Sequence, residues 1–556
     1  MEYVISTVGE KIAISLTLLA LCVPLVASAS NVEYERLIEH TDSEVLIKKN
    51  TLSSEAWYRC TIASGECAIA TQGSTLFAPG ENATPAYMAA YRSLMPSGAT
   101  RLTRSPDGRY IAFYIPATPS KDKRVFGVMD TTNLSISMKE ESLSYWDLLT
   151  EGIRVFAFSP DSKTLLYIDD IKDDPIIYKV NLAKLSPASK TLTSEKLFSK
   201  EYSIADVQFI HDGSILFTAN RDNPYAWSLY KYSLTDYSLA QIASNVSYDA
   251  NLIRTGNVFL FGVADEQGVR PMVYDPATGK TREFSLPSSG SLETAGKVVT
   301  TLKNGLSGVF LLEKSGNSDT LLVWLHGGPY RQSSIGYHPY FSYGGYDWML
   351  ETAREADVGV LKLDYPGSAG FGRVFAESIT GKVGVKDATD ARAAILDFAT
   401  RNGYQNIYLV GNSYGGYLAM KLLVDNPGDY KGAMSIAGVA DWTTMLTALD
   451  NSIFNVQFGG TAQDDNFDEY AKASIYNNVA KLSGQKIVLV HGTEDKTIPY
   501  RQTEGLMTFL SSNKKPAELI RLEGEDHIFK KPESFETVCS AVLRLAGKTS
   551  TGCIVH

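Results

Sequence analysis

The chain contains little histidine, little cysteine and no excess of positive charge. Its 556 residues include seven histidines and five cysteines, and its formal net charge at pH 7 is −10. An acidic protein is repelled by nucleic acid and by anionic membrane surfaces, so neither is expected as a partner. The spacing of the cysteines does not match that of a metal site, so no metal is expected on their account.

Long apolar runs are also absent, with one exception at residues 12–26. Lys11 precedes this run and Ala27-Ser28-Ala29 follows it, which is typical of a signal peptide with a cleavage site between small residues. The run is shorter than the roughly 20 residues that a membrane-spanning helix needs. We therefore predict a signal peptide at residues 1–29 and export to the periplasm or the medium. An uncleaved membrane anchor is the alternative.

The few cysteines are informative through their positions. Cys22 lies inside the predicted signal peptide, and the other four form two local pairs, Cys60 with Cys67 and Cys539 with Cys553. An even number of cysteines after cleavage fits an oxidising compartment. We predict one disulfide in each pair, with four free thiols as the alternative.

Residues 30–310 contain no convincing long helix and alternate short apolar runs with turn residues, which indicates an all-β domain. A repeated strand-turn-strand unit carries Asp107, Asp161 and Asp212 in its turns, and these step by 54 and then 51 residues. Repeats of this length, each worth about four short strands, are typical of β-propeller blades. We predict a propeller of five to seven blades. A pair of β-sandwiches is the alternative.

Residues 311–556 alternate apolar strands with helices, which predicts a mostly parallel sheet covered on both faces. Within this domain, the segment Gly411-Asn412-Ser413-Tyr414-Gly415 follows the apolar run 407–410 and precedes a helical pattern. Gly-x-Ser-x-Gly between a strand and a helix is the nucleophile elbow of α/β-hydrolases. The sequence therefore predicts an α/β-hydrolase domain with Ser413 as its nucleophile.

A serine nucleophile needs an imidazole base and a carboxylate that orients the imidazole. The histidines that follow Ser413 are His491, His527 and His556. His527 lies in a loop between the last strand and the last helix, where an α/β-hydrolase carries its base, whereas His491 is interpreted as a structural residue. Asp495 follows the preceding strand and is the predicted carboxylate, with Glu494 as the alternative.

The negative oxygen of an acyl-transfer intermediate needs backbone donors that point at it. The N–H of Tyr414, directly after the nucleophile, is one candidate. Gly327 and Gly328, in the segment His326-Gly-Gly-Pro329 after the apolar strand 321–325, are candidates for the second. An ordinary strand-ending turn is the alternative interpretation of that segment.

Five segments together resemble the prolyl oligopeptidase family of serine peptidases. They are residues 326–329, 364–372, 411–417, 491–495 and 524–527. The first and third are most similar to the acylaminoacyl-peptidase branch. Thr497 stands where the dipeptidyl-peptidase IV branch has asparagine, and the propeller region lacks that branch's paired glutamates. Both departures weaken the dipeptidyl-peptidase interpretation.

The resemblance implies a peptidase of short peptides, with the propeller restricting folded proteins and with no cofactor or metal. It implies that Ser413 attacks the scissile carbonyl, that His527 acts as general base and then acid, and that Asp495 orients His527. In prolyl oligopeptidase a tyrosine from the segment matching 326–329 also contacts the oxyanion. His326 stands here instead, so a backbone donor is expected.

Two other functions remain open at this point. One is an esterase on the same fold, because esters and amides share acyl-enzyme chemistry. The other is a binding protein that uses the propeller and has lost catalysis. Neither the preferred cleavage site nor the oligomeric state follows from the sequence, because pocket shape and loops determine them.

Overall fold

The structure is a computed structural model that describes residues 34–554 with internal gaps. The gaps are residues 41–42, 51–54, 71–94, 117–122, 143–155, 170–175, 189, 199–203, 223–226, 245, 247–251, 266–267, 285–296, 312–315, 334–340, 446–456, 459–465 and 550–551. The predicted signal peptide lies outside the described residues.

The described part of the N-terminal domain consists of five antiparallel sheets, each built from four strands that are consecutive in the chain. The strands are β1 Tyr34–His40, β2 Glu44–Asn50, β3 Glu55–Thr61, β4 Cys67–Ala70, β5 Thr100–Arg104, β6 Tyr110–Ile115, β7 Lys123–Asp130, β8 Ser135–Ser142, β9 Phe156–Phe158, β10 Thr164–Asp169, β11 Ile176–Asn181, β12 Glu195–Lys196, β13 Ile204–Phe209, β14 Ser214–Ala219, β15 Ser228–Ser233, β16 Leu239–Ala243, β17 Ile253–Thr255, β18 Val258–Asp265, β19 Gly268–Asp275 and β20 Lys280–Glu283. Four-stranded consecutive sheets are propeller blades, so the predicted propeller is confirmed.

The repeated turn has a common hydrogen-bond pattern in the second and third blades. Ser105 Oγ donates to Asp107 Oδ1 at 2.6 Å and accepts from the Tyr110 N–H at 2.9 Å. Ser159 Oγ donates to Asp161 Oδ1 at the same distance of 2.6 Å. These side chains satisfy polar groups within the turn, which is why serine and aspartate recur at this spacing.

Apolar clusters join the blades to one another and join the first blade to the fifth. Val45 and Ile47 of the first blade share one cluster with Leu260 and Val273 of the fifth. Similar clusters join the second blade to the third, the third to the fourth and the fourth to the fifth. The first blade therefore packs on the fifth, which buries apolar surface that would otherwise be exposed.

The C-terminal domain is an eight-stranded sheet in the order β21-β22-β24-β23-β25-β26-β27-β28. The strands are β21 Lys297–Thr301, β22 Ser307–Leu311, β23 Thr320–Leu325, β24 Gly359–Asp364, β25 Asn406–Asn412, β26 Gly432–Ile436, β27 Lys486–Gly492 and β28 Glu518–Leu522. The helices are α1 Phe341–Glu355, α2 Arg373–Ala376, α3 Lys386–Asn402, α4 Tyr414–Asp425, α5 Trp442–Met445, α6 Phe467–Ala473, α7 Arg501–Ser512 and α8 Pro532–Leu545. Strands β23 to β28 are parallel, as buried strands linked by helices require.

The boundary predicted between residues 310 and 311 is too late in the chain. β21 and β22 form an antiparallel pair, and β22 pairs with β24 of the large sheet, for example at Val309 and Lys362. The pair has the local pattern of a blade hairpin, so only its long-range pairing assigns it to the second domain. The propeller strands therefore end at β20, and the α/β domain begins by residue 297.

Alternate residues of the central strand β23 enter two different cores. Leu321, Val323 and Leu325 pack on the side of α3 and α4, whereas Leu322 and Trp324 pack on the side of α1 and α8. The sheet is thus covered on both faces, and the predicted α/β-hydrolase architecture is confirmed. Among the helices of the described segments, none has the length and apolar character to cross a membrane.

Candidate active site

Ser413 occupies the sharp turn between β25 and α4. Its backbone has φ 54° and ψ −122°, a conformation that costs free energy for a residue with a side chain. Two glycines make the turn possible. A Cβ on Gly411 would lie 2.7 Å from the Leu325 carbonyl oxygen, and one on Gly415 would overlap the same oxygen. The strand and helix can approach this closely only because both positions lack a side chain.

The structure brings Ser413, His527 and Asp495 together in a hydrogen-bonded chain. His527 Nε2 lies 3.0 Å from Ser413 Oγ, and His527 Nδ1 lies 2.7 Å from Asp495 Oδ2. The carboxylate is fully buried, whereas the His527 side chain is 15% exposed. In this arrangement Nδ1 donates to the carboxylate, which leaves Nε2 free to accept the serine proton.

The Asp495 carboxylate is surrounded by donors. Its Oδ1 accepts from the backbone N–H groups of Thr497 and Ile498, each at 2.8 Å. Burial would raise the pKa of Asp495, but hydrogen bonds from His491 and His527 outweigh it and lower the pKa to about 2. The group is therefore ionised throughout the range in which an imidazole titrates.

The alternatives to these residues are placed elsewhere. The Glu494 side chain is exposed, and its backbone N–H donates to the Glu525 carbonyl. His491 is buried at the end of β27 and contacts Asp495, but no hydrogen bond joins it to Ser413 in the described structure. His556 lies outside the described residues.

Two acidic residues beside His527 connect its loop to the rest of the site. Asp526 Oδ1 accepts from the Lys496 N–H at 3.1 Å and so joins the His527 loop to the Asp495 loop. The buried Glu525 accepts from the Lys531 N–H at 2.9 Å and thereby holds the start of α8 against the same loop. These contacts fix the loop that carries the imidazole, and sequence patterns alone did not indicate them.

The segment 326–329 lies directly beside the first turn of α4. A Cβ on Gly415 would approach the His326 carbonyl as closely as 2.5 Å. Gly328 has φ 124°, which favours glycine, and the Gly328–Pro329 peptide bond is cis. The structure therefore places the backbone of His326 next to that of Gly415, and Tyr414, Gly327 and Gly328 stay the predicted oxyanion donors.

His326 holds this segment in place from behind. Its Nε2 lies 3.2 Å from Asp364 Oδ1 and 2.8 Å from Ser368 Oγ, while Nδ1 lies 2.8 Å from the Gly327 carbonyl. The Ser368 hydroxyl donates its proton to the Tyr365 carbonyl, so both ring nitrogens face acceptors. Through these contacts His326 links the segment 326–329 to Asp364 at the end of β24 and to Ser368 in the loop that follows.

Two further buried residues support the same region and were not identified from the sequence. The Tyr365 hydroxyl donates to the His326 carbonyl at 2.6 Å, and its ring stacks on that of Tyr414 with centroids 6.0 Å apart. The Tyr414 hydroxyl in turn donates to Asp387 Oδ2 at 2.7 Å. Tyr365 and Asp387 therefore position the two backbone segments on either side of Ser413.

The propeller contacts this region through Asn220. Its side-chain amide donates to the Gly370 carbonyl at 3.0 Å. In the same loop, the Ala369 N–H donates to the Arg331 carbonyl at 2.9 Å. This hydrogen bond joins the loop to the segment that follows Pro329. One blade is thus hydrogen-bonded to the loop that lies behind the candidate oxyanion donors.

Both predicted cysteine pairs are bonded in the structure. Cys60 joins Cys67 between β3 and β4, and Cys539 of α8 joins Cys553 near the C-terminus. Among the described residues, no group of three or more histidine, cysteine or acidic side chains has the arrangement of a metal site.

The strand-turn-helix around Ser413, the strand-end loops with Asp495 and His527, and the doubly covered sheet define the α/β-hydrolase class. Residues 344–550 match the model of the prolyl oligopeptidase family, Peptidase_S9. The resemblance to the prolyl oligopeptidase family that was seen in the sequence is therefore confirmed for residues 344–550.

Curated relatives and solved structures agree with this assignment. Dipeptidyl aminopeptidase B of Saccharomyces cerevisiae is 29% identical over 196 residues, which is 35% of this chain and 22% of that protein. Acylamino-acid-releasing enzyme 1 of Oryza sativa subsp. japonica is 23% identical over 461 residues, 77% of this chain and 55% of that protein. A puromycin-hydrolyzing peptidase of Mycobacterium tuberculosis has the same fold, with a TM-score of 0.66 at 16% identity over 92% of this chain and 78% of that one.

The relatives in these comparisons are named as peptidases or as an acylamino-acid-releasing enzyme. The matched parts make up 22% and 55% of the two curated relatives, so the chain spans about half of their length or less. Both the dipeptidyl-aminopeptidase and the acylamino-acid-releasing names occur among them, so the comparison does not separate the two branches.

Proposed function

We propose that the chain is an exported serine peptidase that hydrolyses short peptides through an acyl-enzyme intermediate. One observation carries the proposal. The nucleophile, base and carboxylate lie within hydrogen-bond distance in the order Ser413, His527, Asp495, at 3.0 Å and 2.7 Å, in a domain of a peptidase family. A catalytically silent binding protein has no need to keep this geometry.

The proposed reaction follows from the positions of these atoms. Ser413 Oγ attacks the carbonyl carbon of the peptide bond while His527 Nε2 takes its proton, and Asp495 stabilises the resulting imidazolium. The N–H of Tyr414 and the backbone of Gly327 and Gly328 donate to the negative oxygen. His527 then gives the proton to the leaving amine. A water molecule, activated by the same imidazole, hydrolyses the acyl-enzyme and restores Ser413.

The propeller is proposed to limit the size of the substrate. Asn220 follows β14 in the fourth blade, and its side-chain amide donates to the Gly370 carbonyl in the loop behind the site. A domain that contacts the site this closely restricts the space through which a folded protein could approach. Short peptides are therefore the proposed substrates, and the preferred terminal group is the property that separates the family's branches.

Export is proposed on the basis of the cysteines. Two disulfides join the pairs Cys60–Cys67 and Cys539–Cys553. Disulfides persist in the periplasm and outside the cell but are rare in the reducing cytosol. Alkylation of the native protein before reduction tests the two disulfides on which this proposal rests. It should label none of these four cysteines.

A substrate panel tests the activity. It contains amides of free and of N-acylated amino acids and dipeptides, a peptide with an internal proline and a short-chain ester, each assayed with the wild type and with Ser413→Ala. Amide hydrolysis that requires Ser413 is the expected result, and the preferred N-terminal group identifies the branch. Hydrolysis of the ester alone would instead indicate an esterase. No turnover of any substrate would contradict the proposed activity.

A further inference from the structure

A second imidazole contacts the carboxylate that orients His527. His491, near the end of β27, is fully buried, and its Nε2 lies 3.2 Å from Asp495 Oδ2. The same oxygen accepts from His527 Nδ1 at 2.7 Å. One carboxylate oxygen thus lies between two imidazoles, of which only His527 reaches the serine.

The partners of His491 determine which of its nitrogens carries the proton. Nε2 also lies 2.8 Å from the Ile498 carbonyl, so it faces two acceptors and must carry a hydrogen. Nδ1 lies 2.7 Å from Thr503 Oγ1, and within the described structure this is the one hydrogen bond of that hydroxyl. The Thr503 hydroxyl thus holds the Nδ1 side of the ring, while the hydrogen on Nε2 faces Ile498 and Asp495.

We propose that His491 is a positioning residue of the active site, which donates from Nε2 to Asp495 and so fixes the carboxylate that orients His527. The inference rests on the proposed function, because it takes His527 as the base. It also changes the interpretation of His491 as a purely structural residue, which its place at a strand end had suggested.

The geometry explains what this donor contributes. Asp495 Oδ1 is held by the backbone of Thr497 and Ile498, whereas the partners of Oδ2 among the described residues are the two imidazoles. Without His491, only His527 holds Oδ2, and the carboxylate can rotate about its Cβ–Cγ bond as far as the two hydrogen bonds to Oδ1 allow. Such a rotation moves the imidazole relative to Ser413, and misplacement by about 1 Å can cost roughly 10²-fold in rate.

Among the residues that the structure describes, few charged or titratable groups contact this pair. Asp495 faces His491 and His527, and Asp526 lies beside His527 through its contact with the backbone N–H of that residue. The ring of Tyr500 lies edge-on to His491, with centroids 5.6 Å apart. A change in the pH profile on altering His491 therefore reports on the Asp495–His527 pair.

Two substitutions of His491 separate its hydrogen bond from its volume. His491→Leu fills the space without a donor, whereas His491→Gln keeps an N–H group near the position of Nε2. We expect kcat to fall roughly 10- to 100-fold in the leucine variant, by analogy with side chains that orient the ligands of a metal, with little change in KM. The glutamine variant should recover most of the loss. Active sites are counted by fluorophosphonate burst titration, so unfolded protein does not affect the values.

The pH profile distinguishes positioning from a structural role. With one donor fewer on Oδ2, the carboxylate attracts the imidazolium form of His527 more strongly. The acid limb of kcat/KM should therefore move to higher pH in His491→Leu and return toward the wild type in His491→Gln. If the leucine variant does not fold, Thr503→Val is tested instead, because it removes the hydroxyl that is hydrogen-bonded to His491 Nδ1. In this variant kcat should fall by less than in His491→Leu, and the acid limb of kcat/KM should again move to higher pH.

Wild-type kcat and an unmoved acid limb in the leucine variant would overturn the inference, as would a glutamine variant as impaired as the leucine one. If Thr503→Val is the variant tested, wild-type kcat and an unmoved acid limb in that protein would overturn it equally. Absence of Ser413-dependent turnover in the wild type would instead contradict the proposed function, which is a separate outcome.

Discussion

The Tyr365 hydroxyl offers a test of how the oxyanion donors are held. It donates to the His326 carbonyl at 2.6 Å, and the ring stacks on the His326 imidazole with centroids 4.6 Å apart. Tyr365→Phe removes the hydroxyl and keeps the ring, so it deletes one hydrogen bond to the segment that carries Gly327 and Gly328. The stacking on Tyr414 is retained.

The expected loss follows from burial. A buried carbonyl that loses its donor costs about 1–3 kcal/mol of folding free energy. Removal of a whole oxyanion donor lowers kcat by about 10²–10³. A donor that is displaced rather than removed should cost less, so we expect kcat to fall roughly tenfold, which corresponds to about 1.4 kcal/mol. KM should change little, because the contact acts on the transition state.

Tyr417→Phe is a matched control. Tyr417 is also fully buried, and its hydroxyl donates to a backbone carbonyl, that of Ala473, at 2.9 Å. That carbonyl lies outside the candidate oxyanion segment. Both variants should lower Tm by similar amounts, but only Tyr365→Phe should lower kcat in assays of an amide substrate. This explanation of Tyr365 would be refuted if kcat fell equally in both variants, or if it fell in neither.

Three further predictions concern Asp387, Asn220 and the C-terminal disulfide. Burial raises the pKa of Asp387 to about 6 from 3.8, so ionisation lowers the stability of the wild type as pH rises from 4 through 6. Asp387→Asn should therefore gain about 2–3 kcal/mol relative to the wild type between pH 4 and pH 8 in urea unfolding, and a constant difference would contradict this. Asn220→Ala removes the hydrogen bond to Gly370, so the ratio of kcat/KM for longer over shorter peptides should rise by up to roughly fivefold; an unchanged ratio would exclude a role of this contact in size selection. Replacing Cys539 and Cys553 together by serine opens a loop with a sequence separation of 14 and should cost about 3 kcal/mol in denaturant unfolding with kcat retained. A free energy of unfolding equal to that of the wild type would contradict the last prediction.

The parts of the fold that follow from local chemistry could be predicted from the sequence. The elbow around Ser413 needs glycine on both sides of a strained turn, and that requirement is visible as Gly-x-Ser-x-Gly. The blade turns need serine and aspartate two residues apart, as at Ser105 and Asp107, so their repeat is visible as well. In both cases the residues that cause the structure are neighbours in the chain.

Features that depend on long-range contacts were not predictable in this way. The hairpin β21–β22 looks like part of a blade, and only its pairing with β24 assigns it to the large sheet. The hydrogen bond between Tyr414 and Asp387 joins residues 27 apart, and that between Tyr365 and His326 joins residues 39 apart. No local pattern relates such partners, so their roles in the site emerge from the fold alone.

The central claim is that His527 and Asp495 activate Ser413. Labelling by a fluorophosphonate, followed by mass spectrometry of the labelled peptide, tests it without knowledge of the substrate. We predict one adduct per chain, located on Ser413, absent in Ser413→Ala and formed much more slowly in His527→Ala. A folded wild-type protein that forms no adduct, or that reacts at the same rate when His527 is replaced, would contradict the account.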